Sequence, residues 1–148
     1  MISITRKLEF DAGHRIPNHK GQCKNIHGHR YVLEITLEGF LSKVDSECDY
    51  GMVMDFSDVK SIAMKYVVSN WDHAFLVYDQ DLLVLNFLKT LPNHKTVVLD
   101  RVPTAENLSL IAYNILFPIY KKNYDKSLIL KKIRIYETPN CWAEYHGT

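Results

Sequence analysis

The sequence lacks three features: an excess of charge of one sign, a long apolar run and a paired cysteine spacing. Its 18 lysine and arginine residues nearly balance its 17 aspartate and glutamate residues, which gives a net charge of +1. Proteins that bind nucleic acid or anionic membranes usually carry a basic patch, so we expect neither kind of partner. No apolar stretch approaches the roughly 18 residues of a transmembrane helix, so we also expect no membrane span.

Cysteine is scarce, with three residues at Cys23, Cys48 and Cys141. An odd number without a Cys-x-x-Cys pair argues against a disulfide framework and against zinc fingers of that type. The N-terminal residues alternate apolar and polar side chains, and they lack the continuous apolar core of a signal peptide. We therefore expect a protein of the reducing cytoplasm.

Alternating side chains predict several strands. Residues 2–10, 30–40 and 130–136 alternate apolar and polar side chains, and residues 141–146 are typical of a short final strand. The length of 148 residues suits one domain with a single core, which we place at residues 1–148.

Two segments have the spacing of amphipathic helices. The first begins near Asp55, a good N-cap, and its apolar stripe starts at Phe56. The second begins after Thr104. Residues 79–102 are harder to interpret, with a short helix and then a short strand over 96–99 as one possibility. Strands separated from helices predict an α+β fold, with an antiparallel sheet and both helices on one face.

The densest group of chemically active side chains lies between His14 and His29. His27 and His29 are two residues apart at the start of a strand, so their imidazoles point to the same face and can chelate one metal ion. His14 is a third candidate ligand. Three histidines with an open fourth position are typical of a catalytic zinc site. A closed site with Cys23 as fourth ligand and a group of unrelated histidines without metal are the two alternatives.

Cys23 has three possible roles: a buried apolar residue, a zinc ligand or a reactive thiol. A divalent cation or a protonated histidine near a thiol lowers its pKa and makes the thiolate a usable base or nucleophile. Cys48 and Cys141 have no such neighbours in the sequence.

Asp72 and His73 form a possible carboxylate–imidazole pair. Adjacent residues do not face each other on a helix or a strand, so a direct contact requires irregular backbone. We therefore expect each side chain to contact a different partner, and an ordinary position at the end of the preceding helix is the alternative.

Glu137 continues the apolar face of the strand at residues 130–136. A carboxylate that points inward must be paired, because burying a lone charge is too costly. A ligand with two adjacent N–H donors would pair with it in a bidentate manner. The alternative is that the strand has ended and that Glu137 is solvated.

Six short motifs, in this order over nearly the whole chain, resemble those of the 6-pyruvoyl-tetrahydropterin synthase and 6-carboxytetrahydropterin synthase family: Phe10-Asp-Ala-Gly-His14-Arg15, Cys23-x-x-x-His27-Gly28-His29, Gly51-Met-Val-Met-Asp55-Phe56, Asp72-His73, Pro103-Thr104-Ala-Glu106-Asn107 and Tyr136-Glu137-Thr138. The sequence departs from the family pattern at Gly13, where alanine is more usual, and at Val77, where many members have asparagine. Residues 79–102 also look longer than in compact members.

The resemblance implies a tunnelling fold, in which a four-stranded antiparallel sheet carries two helices on one face. It implies trimers, or hexamers made of two trimers, with active sites at the subunit boundaries. It also implies roles for individual residues: zinc binding for His14, His27 and His29, proton transfer for Cys23, Asp72 and His73, and pterin anchoring for Glu137, with Thr104 and Glu106 lining the same pocket.

The gap between Cys23 and His27 separates two activities within the family. A gap of three residues is similar to the carboxy-pterin synthases of 7-deazapurine (queuosine) biosynthesis, whereas pyruvoyl synthases typically have a longer gap. The resemblance therefore implies a 6-carboxy-5,6,7,8-tetrahydropterin synthase, which acts on 7,8-dihydroneopterin triphosphate and releases triphosphate and acetaldehyde. A pyruvoyl synthase and a non-catalytic zinc or pterin-binding module are the alternatives.

Overall fold

Two long strands lie side by side at the centre of one sheet. The computed structural model describes residues 1–123 and 127–147. Within them the strands are β1 (Ile2–His14), β2 (His27–Gly39), β3 (Ala74–Tyr78), β4 (Thr96–Leu99), β5 (Ile129–Thr138) and β6 (Cys141–Tyr145). The helices are α1 (Phe56–Ala63), α2 (Leu82–Leu88) and α3 (Ala105–Asn123). Short helical turns also occur at Gln22–Lys24, and at Met64–Val68 and Ser69–Trp71 after α1.

The register of β1 against β2 determines which side chains share a face. The two strands are antiparallel, with Phe10 opposite Tyr31 and His14 opposite His27. Because side chains alternate along a strand, these four residues project from the same face of the sheet. Phe10 and Tyr31 are buried on that face, whereas the neighbours of Phe10, Glu9 and Asp11, point to the other. The alternation predicted for both strands is confirmed.

Helices α1 and α3 cover the apolar face of the sheet. The Asp55 carboxylate accepts a hydrogen bond from the backbone N–H of Ser57, 2.7 Å away, which confirms the predicted N-cap. Val59 of α1 and Leu108 of α3 lie in the same core as Leu33 of β2. The predicted apolar stripe starts at Phe56, but that first residue of α1 is exposed, so the buried stripe begins one turn later at Val59.

The sheet is larger than predicted, and it is mixed. Its strand order is β4-β3-β1-β2-β5-β6, so the four-stranded antiparallel sheet expected from the sequence is only part of it. Strand β3 runs parallel to β1 over Ala12–His14, and β4 runs parallel to β3. Strand β3 has little signal in the sequence, because its residues are almost all apolar and do not alternate. A strand that is covered on both faces has this pattern.

A third helix covers the second face of β3. Phe75 and Val77 of β3 pack against Val84 and Leu88 of α2 in a small separate cluster. Over residues 1–123 and 127–147 the fold therefore has three helices rather than two, and the short helix and short strand considered for residues 79–102 are both present. Among the described residues, no helix combines the length and apolar character that crossing a membrane requires.

Candidate metal centre and active site

The three histidines singled out from the sequence meet at one end of the β1–β2 pair. His14 is the last residue of β1, and His27 and His29 begin β2. The register places His14 opposite His27 and Ala12 opposite His29, so the three rings share the apolar face. One ring nitrogen from each lies within 4.8 Å of the other two. His14 is only 1% exposed, so this group lies at the edge of the core.

Backbone carbonyls orient two of the three rings. His14 donates its Nδ1–H to the carbonyl oxygen of Pro103 at 2.7 Å, and His27 donates its Nδ1–H to that of Asn25 at 2.6 Å. A carbonyl oxygen only accepts hydrogen bonds, so the proton of each ring lies on Nδ1. The Nε2 lone pairs are then directed inward, with the two Nε2 atoms 3.1 Å apart. Fixing a histidine ligand through its second nitrogen is a regular feature of metal sites.

The electrostatics of the triad favour neutral imidazoles, which metal binding requires. Burial, the largest effect, and the neighbouring imidazoles of His27 and His29 together lower the pKa of His14 to about 4. The hydrogen bond to Pro103 opposes this shift. Burial also lowers the pKa of His29, although Glu137 partly opposes the shift. Two lone pairs that face each other at 3.1 Å repel unless a cation lies between them. A tetrahedral zinc ion, with Zn–N distances of about 2.0–2.1 Å, holds its nitrogens about 3.3 Å apart, so the donor set fits zinc.

An aromatic residue packs beneath the triad. The ring of Tyr31 lies 5.8 Å from that of His14 and 5.5 Å from that of His29, both edge to face. Phe10 stacks on Tyr31 with the ring centroids 5.2 Å apart. These contacts restrict the rotamers of the two imidazoles, so the donor atoms are held in place before any ligand binds.

Glu137 lies beside the triad. Strand β5 continues to Thr138, so the alternative in which the strand ends before Glu137 is wrong. Its carboxylate oxygens lie 3.9 Å from Nε2 of His14 and 4.0 Å from Nε2 of His29, and its side chain is 26% exposed. The carboxylate therefore points into the site and remains accessible to a ligand.

Cys23 lies in the connection between β1 and β2. It belongs to the short turn Gln22–Lys24, and its carbonyl oxygen accepts a hydrogen bond from the backbone N–H of Ile16 at 2.8 Å. Its thiol is free and half-buried. Among the residues that the structure describes, the donor atoms that converge with those of the triad include no sulfur. This arrangement favours three protein ligands and an open position over a closed four-ligand site.

The side chains of Asp72 and His73 contact each other directly, which contradicts the prediction that each contacts a different partner. Nδ1 of His73 lies 2.9 Å from Oδ2 of Asp72. The contact is possible because His73 has a φ of 58°, the irregular backbone that such a pair requires. Oδ1 of Asp72 accepts a hydrogen bond from the backbone N–H of Asp11 at 2.9 Å. This bond, and then that with His73, lower the pKa of Asp72.

The Asp72–His73 pair lies apart from the triad of its own chain. Its side-chain atoms gather with the carboxylate of Asp11, with ligand atoms within 4.8 Å of one another. Ala12 and His14 share one face of β1, and Asp11 lies next to Ala12, so the side chain of Asp11 points to the face opposite the triad. The side chain of His73 is 77% exposed. The structure therefore brings Glu137 to the triad and leaves His73 facing outward.

Thr104 and Glu106 begin α3. The hydroxyl of Thr104 accepts a hydrogen bond from the backbone N–H of Asn107 at 3.2 Å, so Thr104 is the predicted N-cap. Glu106 is exposed in the first turn, where a carboxylate complements the helix dipole. Both residues thus have the ordinary role of residues at a helix start, and a role in ligand binding stays a prediction for both.

Comparison with known proteins decides the family. Residues 3–148 match the profile of the 6-pyruvoyl tetrahydropterin synthase family. The chain belongs to this family. It is 38% identical over 144 residues to a 6-carboxy-5,6,7,8-tetrahydropterin synthase of Rickettsia felis, with 97% of this chain and 99% of the relative covered. The corresponding enzyme of Haemophilus influenzae is 36% identical over 149 residues, with 98% and 99% covered.

Solved structures share the family fold. The 6-pyruvoyl tetrahydropterin synthase of Caenorhabditis elegans superposes with a TM-score of 0.67 at 26% identity, with 99% of this chain and 96% of that chain covered. An uncharacterized protein from Wolinella succinogenes superposes with a TM-score of 0.81 at 18% identity, with 99% and 98% covered, which supports the fold alone. The resemblance inferred from the six motifs is confirmed at the level of the family.

The departure at Gly13 from the alanine common in the synthase family has a steric reason. A Cβ atom at Gly13 would lie 2.8 Å from Cδ2 of Phe75, closer than real Cβ contacts allow. Phe75 belongs to β3 and packs against α2. Glycine at position 13 therefore makes room for the ring of Phe75, through which α2 is attached to the sheet.

Several groups that shape this candidate site could not be recognised in the sequence. The carbonyl oxygens of Pro103 and Asn25 orient His14 and His27, but a backbone carbonyl leaves no mark in the choice of side chain. Pro103 belongs to the motif Pro103-Thr104-Ala-Glu106-Asn107, but the resemblance implies site roles only for Thr104 and Glu106. The carboxylate of Asp11 was also missed, because its position in β1 indicates only a polar residue on an exposed face.

Proposed function

We propose that the chain is a zinc-dependent 6-carboxy-5,6,7,8-tetrahydropterin synthase in 7-deazapurine (queuosine) biosynthesis. Its substrate would be 7,8-dihydroneopterin triphosphate, and its products 6-carboxytetrahydropterin, acetaldehyde and triphosphate, with one water consumed. The observation that carries the proposal is the convergence of three imidazole nitrogens beside the Glu137 carboxylate. The similarity to carboxy-pterin synthases over nearly the whole chain supports the choice of reaction.

The cofactor of the proposed reaction is a zinc ion held by His14, His27 and His29. When bound, the ion supplies Lewis-acid polarisation to the oxygen atoms of the substrate side chain. Three histidine ligands would leave the ion able to bind such an oxygen. The neutral state of His14 at physiological pH, which follows from its burial, keeps its Nε2 lone pair available as a ligand.

Glu137 would bind the pterin ring. The amino-pyrimidinone edge of a pterin offers two adjacent N–H donors, which match the two oxygens of a carboxylate. Without ligand the carboxylate lies 3.9 and 4.0 Å from two triad nitrogens. The amino-pyrimidinone edge and the C6 side chain are at opposite ends of a pterin, so Glu137 would have to turn away from the triad for the C6 side chain to reach the metal ligands. Thr104 and Glu106 would complete this end of the pocket, since Pro103 already contacts His14.

Cys23 and the Asp72–His73 pair would transfer the protons. Cys23, as a thiolate, would accept a proton from a carbon of the substrate side chain, and His73 would serve the opposite acid–base role. Asp72 accepts the Nδ1–H of His73, which leaves Nε2 of that exposed ring for the substrate. This arrangement has the form of a base oriented by a carboxylate.

We infer that His73 acts in the site of a neighbouring copy. Within one chain the Asp72–His73 pair gathers with Asp11, whose side chain is on the face of the sheet opposite the triad, so a second chain would complete each site. Two free strand edges would support a ring-shaped assembly. In the part of the chain that the structure describes, β1 pairs with β3 only over Ala12–His14, and β6 pairs on one side only. A trimer, or two trimers joined as a hexamer, would satisfy these edges.

Product analysis tests the proposal. The purified, zinc-loaded protein is incubated with 7,8-dihydroneopterin triphosphate, and the pterin products are identified by mass spectrometry while acetaldehyde is trapped as a hydrazone. A 6-carboxytetrahydropterin together with acetaldehyde is the expected result. A 6-pyruvoyl product would support the alternative activity, which a 30% identical 6-pyruvoyl tetrahydrobiopterin synthase of Dictyostelium discoideum represents. Binding without turnover would support a non-catalytic module.

A further inference from the structure

Residues 79–103 contact both groups of the proposed site, the metal ligands and the Asp72–His73 pair. Near their start, Asp81 forms a bidentate ion pair with Arg15, the residue after His14, with N–O distances of 2.6 and 2.7 Å. At their end, the carbonyl of Pro103 accepts the Nδ1–H of His14. Between these two contacts, β4 pairs in parallel with β3, which begins directly after His73. The segment therefore connects the metal ligands to the Asp72–His73 pair.

Lys95 makes the contact with the Asp72–His73 turn. Its ammonium group donates hydrogen bonds to the carbonyl oxygens of Ser69 at 2.7 Å and Asp72 at 2.6 Å. Its own carbonyl accepts a hydrogen bond from the backbone N–H of Phe75 at 3.1 Å. Lys95 thus binds the chain on both sides of His73. Charged donors at the end of a helix are favourable because the last carbonyl groups have no partner within the helix.

The backbone of His73 needs such support. With a φ of 58°, His73 occupies the left-handed region, which costs free energy for any residue with a side chain. Such a conformation persists only where surrounding contacts determine it. Two contacts besides the Asp72 carboxylate do so: the N–H of His73 donates to the carbonyl of Asp11 at 2.6 Å, and Lys95 holds the carbonyl of Asp72, the residue before it.

We propose that Lys95 is a positioning residue, which fixes the left-handed backbone of His73 and thereby directs its imidazole toward the proposed neighbouring site. The catalytic role of His73 rests on the proposed function. The effect of Lys95 on the conformation of His73 does not, so the two claims can be tested separately. It also explains what residues 79–102 contribute, because they carry Lys95 to the turn that precedes β3.

The experiment compares three variants. Lys95→Met keeps the aliphatic stem and removes the donors, Lys95→Arg keeps a charged donor, and Lys89→Met is the matched control. Lys89 is exposed at the end of α2, and its side chain has no hydrogen bond or ion pair among the described residues. Each variant is measured for zinc content, KM, kcat and amide hydrogen exchange at His73.

We expect Lys95→Met to lower kcat by about tenfold or more, because small misplacements of a reacting group have effects of that size. Its KM and zinc content should stay unchanged, since the pterin anchor and the triad are intact. Exchange of the His73 amide should become at least about tenfold faster, as expected when a local structure opens more easily. Lys95→Arg should recover most of kcat, and Lys89→Met should match the wild type.

Two results would overturn the inference. One is unchanged His73 exchange in Lys95→Met, which would mean that the turn holds its conformation without the ammonium. The other is a normal kcat in Lys95→Met while His73→Ala is inactive, which would mean that Lys95 serves only stability. A fully active His73→Ala would instead contradict the proposed role of His73, and the exchange measurement would still decide the role of Lys95.

Discussion

Nε2 of His14 lies 3.1 Å from Nε2 of His27, while each ring donates its Nδ1–H to a backbone carbonyl. The two carbonyls thus fix the tautomers, and both lone pairs are directed at the same point. Two elements that are remote in sequence supply the carbonyls, the loop before β2 and the segment before α3. The histidine triad is therefore held by the fold as a whole rather than by the His27-Gly28-His29 motif alone.

The thiol of Cys23 is proposed to move protons rather than to bind metal. We expect Cys23→Ala to keep about one zinc ion per chain and to lose at least about 99% of kcat, because general acid–base groups contribute about 10²–10⁴-fold. Cys48→Ala is the control, since Cys48 is an exposed free cysteine outside the site. Zinc analysis measures the metal content, and steady-state kinetics measure kcat. Loss of zinc from Cys23→Ala would make the thiol a ligand and the proposed role wrong.

Glu137 is proposed to hold the pterin. Glu137→Gln keeps the shape of the side chain but converts one accepting oxygen into a donor, so one of two charge-assisted hydrogen bonds is lost. Such a bond contributes about 1.5–3 kcal/mol, which predicts a dissociation constant roughly 10–100 times higher for a pterin ligand. Calorimetry with a non-reacting pterin provides the value, and Glu47→Gln in the exposed loop after β2 is the control. Equal affinities for wild type and Glu137→Gln would count against the anchor.

A site built from two chains has a distinctive consequence for mixed assemblies. His27→Ala lacks a metal ligand and His73→Ala lacks the outward imidazole, so each variant alone should be inactive. In assemblies formed from equal amounts of both, a site is intact only when its triad comes from a His73→Ala chain and its His73 from a His27→Ala chain. Random mixing predicts about one quarter of the wild-type activity. If both groups served their own chain, proven mixed oligomers would show no recovery.

The burial of His14 predicts a dependence of stability on pH in the metal-free protein. The pKa of His14 is about 4 in the folded chain, against 6.5 for the unfolded chain. Between these values the unfolded state binds a proton that the folded state excludes. The contribution of His14 to stability is thus complete above pH 6.5 and is lost as the pH falls toward about 4, by about 3 kcal/mol at most.

Urea unfolding at about pH 7.5 and about pH 4.5, on either side of the ordinary histidine pKa, measures this contribution in the presence of a chelator. The free energy of unfolding should fall more for the wild type than for His14→Asn, whose side chain does not titrate in this range. Parallel decreases for the two proteins would show that His14 is not a buried neutral imidazole.

The parts of the fold and site that follow from local periodicity could be predicted from the sequence. Alternation along β2 placed His27 and His29 on one face, and the Asp55 N-cap marked the start of α1. These signals are local: one depends on the two-residue repeat of a strand, and the other on a side chain next to the first free N–H groups of a helix. The chelating pair of His27 and His29 followed from the strand repeat alone, whereas His14 was added because it is near in the sequence and because of the family resemblance. The antiparallel register that brings His14 opposite His27 is seen only in the structure.

The remainder depends on contacts between distant segments. Strand β3 is apolar throughout because α2 covers its second face, and no periodicity distinguishes such a strand from a buried helix. The direct Asp72–His73 contact requires a positive φ at His73, which is uncommon for a residue other than glycine and which no local pattern in the sequence marks. The hydrogen bonds of Lys95 and of Pro103 involve backbone carbonyls, so they become visible only when the fold brings the segments together.

The most direct test of the proposed zinc chemistry is a titration of the metal-free protein with zinc, followed by turnover of 7,8-dihydroneopterin triphosphate. We expect no activity before zinc is added and a linear rise that ends at about one zinc ion per chain. His94→Ala, which alters an exposed histidine outside the triad, should behave like the wild type, whereas His27→Ala should bind no stoichiometric zinc and stay inactive. Full turnover by the metal-free wild type, or a zinc-activated His27→Ala, would contradict the proposed zinc chemistry.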